Sequence, residues 1–88
     1  MSMFRIAGRE IGTDWEAAAT KLFKAKKSLD IPVTKERIDF PLIWEVEGEL
    51  LRGPTANYDE KMYSIVVRCH KSLSSEIREA IQSALDAV

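Results

Sequence analysis

The sequence has one cysteine, no long hydrophobic run and almost no net charge, and each of these absences excludes a class of protein. Cys69 has no second cysteine, which rules out an intrachain disulfide and a cysteine-based zinc cluster and favours a reducing compartment. No apolar segment approaches the roughly 20 residues of a transmembrane helix, and residues 1–4 do not begin a signal peptide. We therefore expect a cytoplasmic protein that does not contact membranes.

The charge balance argues against a surface dominated by one sign. The sequence has 13 basic and 14 acidic residues, so its formal charge is −1. Neither the basic excess of many nucleic-acid-binding domains nor a strong acidic excess is present. With 45% hydrophobic and 31% charged residues, the 88 residues have the composition of one small globular domain.

Two segments of alternating polarity lie between residues 40 and 70. Trp44 and Val46 alternate with Glu45 and Glu47, and such a period of two predicts a strand with one buried face. The same pattern predicts a second strand that ends near Cys69. The apolar positions are Phe40, Leu42, Trp44, Val46 and Leu50 in the first segment, and Tyr63, Ile65, Val67 and Cys69 in the second.

Glycines leave two details of the strands open. Glu47-Gly48 is either a hairpin turn or a bulge in one long strand that reaches Arg52, and the long strand is favoured because Glu-Gly is a weak turn signal. Near the N-terminus, Phe4 and Ile6 alternate with Arg5 and Ala7. This predicts a strand that breaks at Gly8, with room for an extra short strand in a hairpin.

Two amphipathic helices are predicted. Thr13 and Glu16 match a capping box, which begins a helix from Asp14 to about Ser28. Ser72 or Ser74 caps the second helix. The apolar stripe of the first contains Trp15, Ala18, Ala19, Leu22, Ala25 and Leu29, with Phe23 at its edge; that of the second contains Ile77, Ala80, Ile81, Ala84, Leu85 and Val88. Arg78, Gln82, Ser83 and Asp86 are expected to face water.

The order β-α-β-β-α predicts an α+β fold. We expect a two-layer sandwich, in which an antiparallel sheet carries two helices on one face and leaves the other face in solvent. The predicted core contains Leu22, Trp44, Ile65, Val67, Ile81 and Leu85.

No group of residues predicts catalysis, a metal site or a cofactor site. Cys69 and His70 are neighbours, so in a strand their side chains point to opposite faces and cannot act as nucleophile and base. Glu45, Glu47 and Glu49 would lie about 7 Å apart along one face, which is wide for joint chelation. A cross-strand ion pair between one of these glutamates and Arg68 explains them more simply. We therefore expect a protein that is not an enzyme and needs no cofactor.

The predicted function is that of a protein-binding module, acting as a regulator, an inhibitor or an assembly subunit. One predicted contact surface is the open sheet face, and the other is the loop of residues 53–60, with Tyr58 as an exposed aromatic anchor. On the sheet face an apolar centre with a charged surround is expected. The residues of that surface are Ile43, Glu45, Glu47, Val66, Arg68 and His70.

Two further interactions are consistent with the sequence. A nucleic-acid-binding domain would use the basic patch of Lys21, Lys24 and Lys27 together with Lys71. A homodimer would cover an unpaired strand edge at residues 3–7 or 40–46, or the open sheet face.

Overall fold

The computed structural model of the protein describes residues 3–29, 42–51 and 60–88. Its elements follow the predicted order of strand, helix, strand, strand and helix. They are β1 (Phe4–Gly12), α1 (Trp15–Ser28), β2 (Ile43–Leu50), β3 (Lys61–Cys69) and α2 (Ser75–Asp86).

The three strands form one antiparallel sheet in the order β1-β3-β2. β1 and β2 both run opposite to the central β3, so they are parallel to each other, and the chain passes from one to the other through α1. Residues of both helices join one core cluster with Ile65 and Val67 of β3, so both helices cover the same face of the sheet. This confirms the predicted α+β fold with helices packed on the sheet. The opposite face is called the open face below.

β1 is one continuous strand, and the prediction that it breaks at Gly8 is wrong. Its pairing with β3 has two irregularities, which fall at Ile6 and Ile11. Because an extra residue shifts the alternation of side chains by one, Ile6 and Ala7 both contact the core although they are adjacent. The strand ends at Gly12, whose φ of +149° is readily adopted only by glycine.

β2 passes through Gly48 without a turn and without a bulge. Its register with β3 is regular from Ile43 to Leu50, so the long strand that the sequence favours is confirmed over this range, whereas the predicted bulge at Gly48 is wrong; Arg52 lies outside the described residues. The ring of Tyr63, which lies opposite Gly48, occupies the space that a side chain would need. A Cβ at Gly48 would lie 2.9 Å from that ring.

α1 begins with a different cap from the one predicted. Its N-cap is Asp14, whose Oδ1 accepts a hydrogen bond from the backbone N–H of Glu16 at 2.9 Å. The capping box led by Thr13 is therefore wrong, because Asp14 is an equally good cap and lies one residue nearer to the helix.

The buried side of α1 consists of its smallest apolar residues. Ala18 and Ala25 are fully buried, whereas Trp15 and Phe23 are 55% and 65% exposed. The prediction that Trp15 belongs to the buried stripe is wrong. The two alanines allow the helix to approach its neighbours closely, and a ring at the start of the helix is left outside that contact.

The core lies between β3 and α2. Ile65, Val67, Ile81 and Leu85 are each fully buried, as predicted, whereas Leu22 and Trp44 are half-buried against the same cluster. α2 begins at Ser74, the second of the two predicted caps, whose Oγ accepts from the N–H of Ile77 at 3.4 Å. In the described part of the chain, neither helix is long and apolar enough to cross a membrane.

Candidate functional site

The open face is built by alternate residues of the three strands. The register sets Arg5 opposite Arg68, Gly8 opposite Val66 and Glu10 opposite Ser64 on one side of β3. On its other side, Ile43 lies opposite Arg68, and three glutamates follow along β2. The open-face residues are Arg5, Gly8 and Glu10 of β1, Ile43, Glu45, Glu47 and Glu49 of β2, and Met62, Ser64, Val66 and Arg68 of β3.

Arg68 forms ion pairs with two of the glutamates. Its Nη1 lies 2.8 Å from Oε2 of Glu45 and 2.5 Å from Oε1 of Glu47, so the predicted cross-strand ion pair is confirmed and extended to a second carboxylate. The hydrogen bond with Glu47 is the main cause that raises the pKa of the Arg68 guanidinium. Both ion pairs lie on an exposed surface, and the guanidinium stays charged throughout the physiological pH range.

Val66 is not the accessible apolar centre that the sequence predicts. It lies on the open face but is only 1% exposed, because it occupies the central strand and the guanidinium of Arg5 lies over the neighbouring Gly8. A Cβ built at Gly8 would collide with that guanidinium. Ile43 is 37% exposed and is the accessible apolar residue at its end of the face.

A groove follows β3 along the other half of the open face. One part, of about 800 Å³, is lined by Glu10, Glu49 and Met62, together with the neighbouring ends of β2 and β3. A second part, of about 320 Å³, shares Glu49 and Met62 and continues past Ser64 to Arg5. The acidic groove, as we call it, is lined by Arg5, Glu10, Glu47, Gly48, Glu49, Leu50, Leu51, Lys61, Met62, Ser64 and Val66.

The groove combines an apolar base with carboxylates on both sides. Glu10 projects from β1 and Glu49 from β2, and both are exposed, whereas Met62 between them is half-buried. Neither carboxylate is paired with a cation among residues 3–29, 42–51 and 60–88. An arginine or lysine side chain suits such a groove, since its aliphatic part can cover the methionine while its charge meets the carboxylates.

The two outer edges of the sheet differ in the partners of their backbone groups. On β1, the side-chain amide of Gln82 closes the edge at Gly8: its Oε1 accepts from the Gly8 N–H at 3.2 Å, and its Nε2 donates to the Gly8 carbonyl at 2.8 Å. The prediction that Gln82 faces water is therefore wrong. On β2, no strand of the described residues pairs with the outer edge.

Comparisons of the chain with protein-family models, with curated proteins and with solved structures find no match.

The lysines predicted to bind nucleic acid are not assembled into one contact surface by any described contact. Lys24 and Lys27 are exposed on α1, and Lys21 is half-buried. Lys71 instead lines a cavity of about 210 Å³ with Arg5 and Arg78, beside the first turn of α2. The sequence alone does not predict that these three cations are neighbours, because Arg5 belongs to β1, Arg78 to α2 and Lys71 to the segment between β3 and α2.

Two other predicted site residues have different outcomes. Tyr58 and most of its loop lie outside the described residues. His70 is half-buried and directly follows β3, which ends at the fully buried Cys69. In the part of the chain that the structure describes, no group of three or more histidine, cysteine, aspartate or glutamate side chains could hold a metal ion.

Sequence reasoning missed most of the groove. Arg5, Glu10 and Met62 line it but belong to no predicted site, and Glu10 was missed because the expected break at Gly8 ended the first strand before it. A signal was available in the alternation of Gly8 and Glu10 with the intervening Arg9, which continues the period of two beyond the glycine.

Proposed function

We propose that the protein is a non-enzymatic binding module whose open sheet face contacts another protein through a positively charged segment. A regulator, an inhibitor and an assembly subunit all act by such a contact. The single observation that carries the proposal is the acidic groove, in which the carboxylates of Glu10 and Glu49 flank Met62 and neither forms an ion pair with a described residue.

Charge complementarity points to the sign of the partner. The open face carries four carboxylates and two guanidinium groups, and Arg68 is already engaged with Glu45 and Glu47. Groups of opposite sign on the partner would accelerate association and select against acidic competitors. Ile43, at the other end of the face, supplies an accessible apolar contact.

The test is a comparison of three proteins in the same capture and affinity experiment. The double variant Glu10→Lys, Glu49→Lys reverses the groove, and the control Glu79→Lys reverses an exposed charge on α2. Proteins retained from a host lysate by the parent are identified by mass spectrometry, purified and titrated against all three by calorimetry. We expect the double variant to bind a retained partner at least about tenfold more weakly, and the control to bind like the parent.

A retained partner that binds the double variant with parental affinity would place the contact elsewhere on the protein. Circular dichroism and a melting curve for each variant establish that the fold is unchanged. Both substituted residues are exposed strand positions on the open face, so no core contact is removed.

The nucleic-acid alternative has one observation in its favour, the cavity that Lys71 lines with Arg5 and Arg78. It is opposed by the carboxylates of the open face, which repel phosphates. Fluorescence anisotropy with labelled single-stranded and double-stranded RNA and DNA tests it directly. Binding that weakens steeply with salt and is lost in Lys71→Glu would favour it over the protein partner.

A further inference from the structure

Among the described residues, no strand pairs with the outer edge of β2, whose outward-facing backbone groups are regularly spaced. The N–H of Leu51 donates to the carbonyl of Glu60 at 3.0 Å, which fixes the phase of the ladder between β2 and β3. In an antiparallel ladder, alternate residues of a strand direct their N–H and C=O groups to opposite sides. The backbone groups that point away from β3 therefore belong to Trp44, Val46, Gly48 and Leu50.

The two sides of this edge differ in chemistry. On the open-face side, Glu45, Glu47 and Glu49 are all exposed. On the helix side, Trp44 and Val46 are half-buried, and Leu50 is 49% exposed. A strand added to β2 would therefore meet carboxylates with every second side chain and apolar surface with the others.

We infer that the partner segment is an extended strand of alternating basic and apolar residues, which pairs with the outer edge of β2. The inference rests on the proposed function and names the class of segment that the open face would bind. Main-chain hydrogen bonds to the four outward-facing residues would supply affinity, and the glutamates would supply the preference for basic side chains. The basic side chains nearest to Glu49 would enter the acidic groove.

A second copy of the chain is a less favourable occupant of this edge than a basic segment. Two β2 strands related by a two-fold axis would pair antiparallel, with residues of the same parity opposite each other. Every register with its axis between Glu45 and Glu49, which gives the longest overlap of the two strands, brings glutamates together: an axis at Val46 sets Glu45 against Glu47, and an axis at Glu47 sets Glu45 against Glu49. Like charges directly opposite each other destabilise a strand pair, so the symmetric pairing is disfavoured.

Hydrogen exchange of the full chain, followed residue by residue by NMR, tests the inference. In the free protein we expect fast exchange at the amides of Val46, Gly48 and Leu50 and slow exchange at those of Glu45 and Glu47, which pair with β3. The probe is a synthetic peptide of alternating lysine and valine that matches β2 in length. Its addition should slow exchange at the three outward-facing amides by at least about tenfold, with the largest shift changes along β2.

Two control peptides separate the backbone contribution from the charge. A peptide of alternating lysine and proline carries the same charge but cannot form a ladder, and a peptide of alternating glutamate and valine has the opposite charge. Both should bind at least about tenfold more weakly than the lysine–valine peptide. In Glu49→Lys its affinity should fall about three- to tenfold, and in Glu79→Lys it should be unchanged.

The outcomes distinguish this inference from the proposed function. Equal binding of the lysine–proline and lysine–valine peptides, without protection of the outward-facing amides, would overturn strand addition while leaving the groove as a basic-segment site. Absence of binding by the lysine–valine peptide at millimolar concentration would also overturn the inference. The proposed function itself fails only if a natural partner binds the Glu10→Lys, Glu49→Lys double variant as well as the parent. Sedimentation of the protein without peptide would reveal a dimer if a second copy occupies the edge instead.

Discussion

The two edge strands of the sheet have opposite relations to the rest of the molecule. At β1, a side chain of α2 takes the place of a neighbouring strand: the amide of Gln82 bonds both backbone groups of Gly8. At β2, none of the described residues provides a neighbouring strand, and the open-face side of the edge carries Glu45, Glu47 and Glu49. The hydrogen bonds at the β1 edge contribute to the stability of the fold. The β2 edge carries negative charge, and a segment with positive side chains can pair with it.

The position of α2 explains the difference. Besides the contact of Gln82, the guanidinium of Arg9 on β1 donates to the carbonyl of Leu85 at 2.7 Å and also to the carbonyl of Val88. Both bonds place a positive charge at the C-terminal end of α2, where it is favoured by the helix dipole and by unpaired carbonyls. β1 and α2 are thus joined by bonds in both directions, and no hydrogen bond of this kind links α1 to β2 among the described residues.

Among the substitutions that test the difference between the two edges, Ile81→Ala should lower the stability most. Ile81 is fully buried and fastens α2 to the sheet, so its truncation should lower the free energy of unfolding by about 2–5 kcal/mol. In so small a domain this is a large share of the stability. Urea denaturation measures the change, with Glu79→Ala on the exposed side of the same helix as the control. If Ile81→Ala unfolds at the same urea concentration as the parent, the assigned buried face of α2 is wrong.

Gln82→Ala should have an intermediate effect and should open the β1 edge. Loss of two partly buried hydrogen bonds to Gly8 should cost about 1–3 kcal/mol, and the Gly8 amide should exchange faster relative to its neighbours. The matched control is Ser83→Ala, which changes the exposed neighbour on the same helix. Unaltered exchange at Gly8 would show that the Gln82 amide does not close the edge in solution.

The smallest expected effect is that of Arg68→Gln. The guanidinium pairs with Glu45 and Glu47 on an exposed surface, where ion pairs contribute little and are screened by salt. The matched control is Arg78→Gln, which removes an exposed positive charge from α2. The difference in melting temperature between the two variants should be small at low salt and vanish at high salt. A difference as large as that of Gln82→Ala would contradict this ranking.

The pH dependence of the Arg68 pair follows from its raised pKa. A pKa above that of the unfolded chain gives a contribution to stability that is complete below the unfolded value and is lost as the pH rises through the folded value. For arginine both values lie far into the alkaline range, so titration of Arg68 should leave the stability unchanged between neutral and moderately alkaline pH. A melting series across that range checks this, and a drop that is absent from Arg68→Gln would contradict it.

The sequence predicted the elements well where one physical signal dominated. Alternation in β2 and β3 identified their buried faces, and the apolar stripe of α2 identified Ile81 and Leu85 as core residues. Predictions failed where a local pattern was compatible with two environments. β1 was expected to break at Gly8 although the strand continues to Gly12, and Trp15 was assigned to the buried stripe although the fully buried residues of α1 are alanines.

The candidate site was predicted only in part. The glutamates of β2 and their partner Arg68 follow from alternation within two neighbouring strands, and they lie where the sequence placed them. Glu10 and Arg5 join them only because β1 pairs with the far side of β3, a contact between residues that are more than 50 positions apart in the chain. Likewise, Val66 is almost fully buried on this face, where the side chain of Arg5 lies over the neighbouring Gly8. No local sequence pattern predicts that contact.

By itself, the sequence determined the order of the elements, the antiparallel pairing of β2 with β3 and the buried faces of β3 and α2. These depend on the period of apolar residues and on short-range chain geometry, which are local properties. Only the tertiary structure decided that β3 lies in the centre, that Gln82 closes one edge, and that no strand of the described residues covers the other edge. Those features depend on which strand lies beside which and on where a helix rests, and they are set by packing between segments distant in sequence.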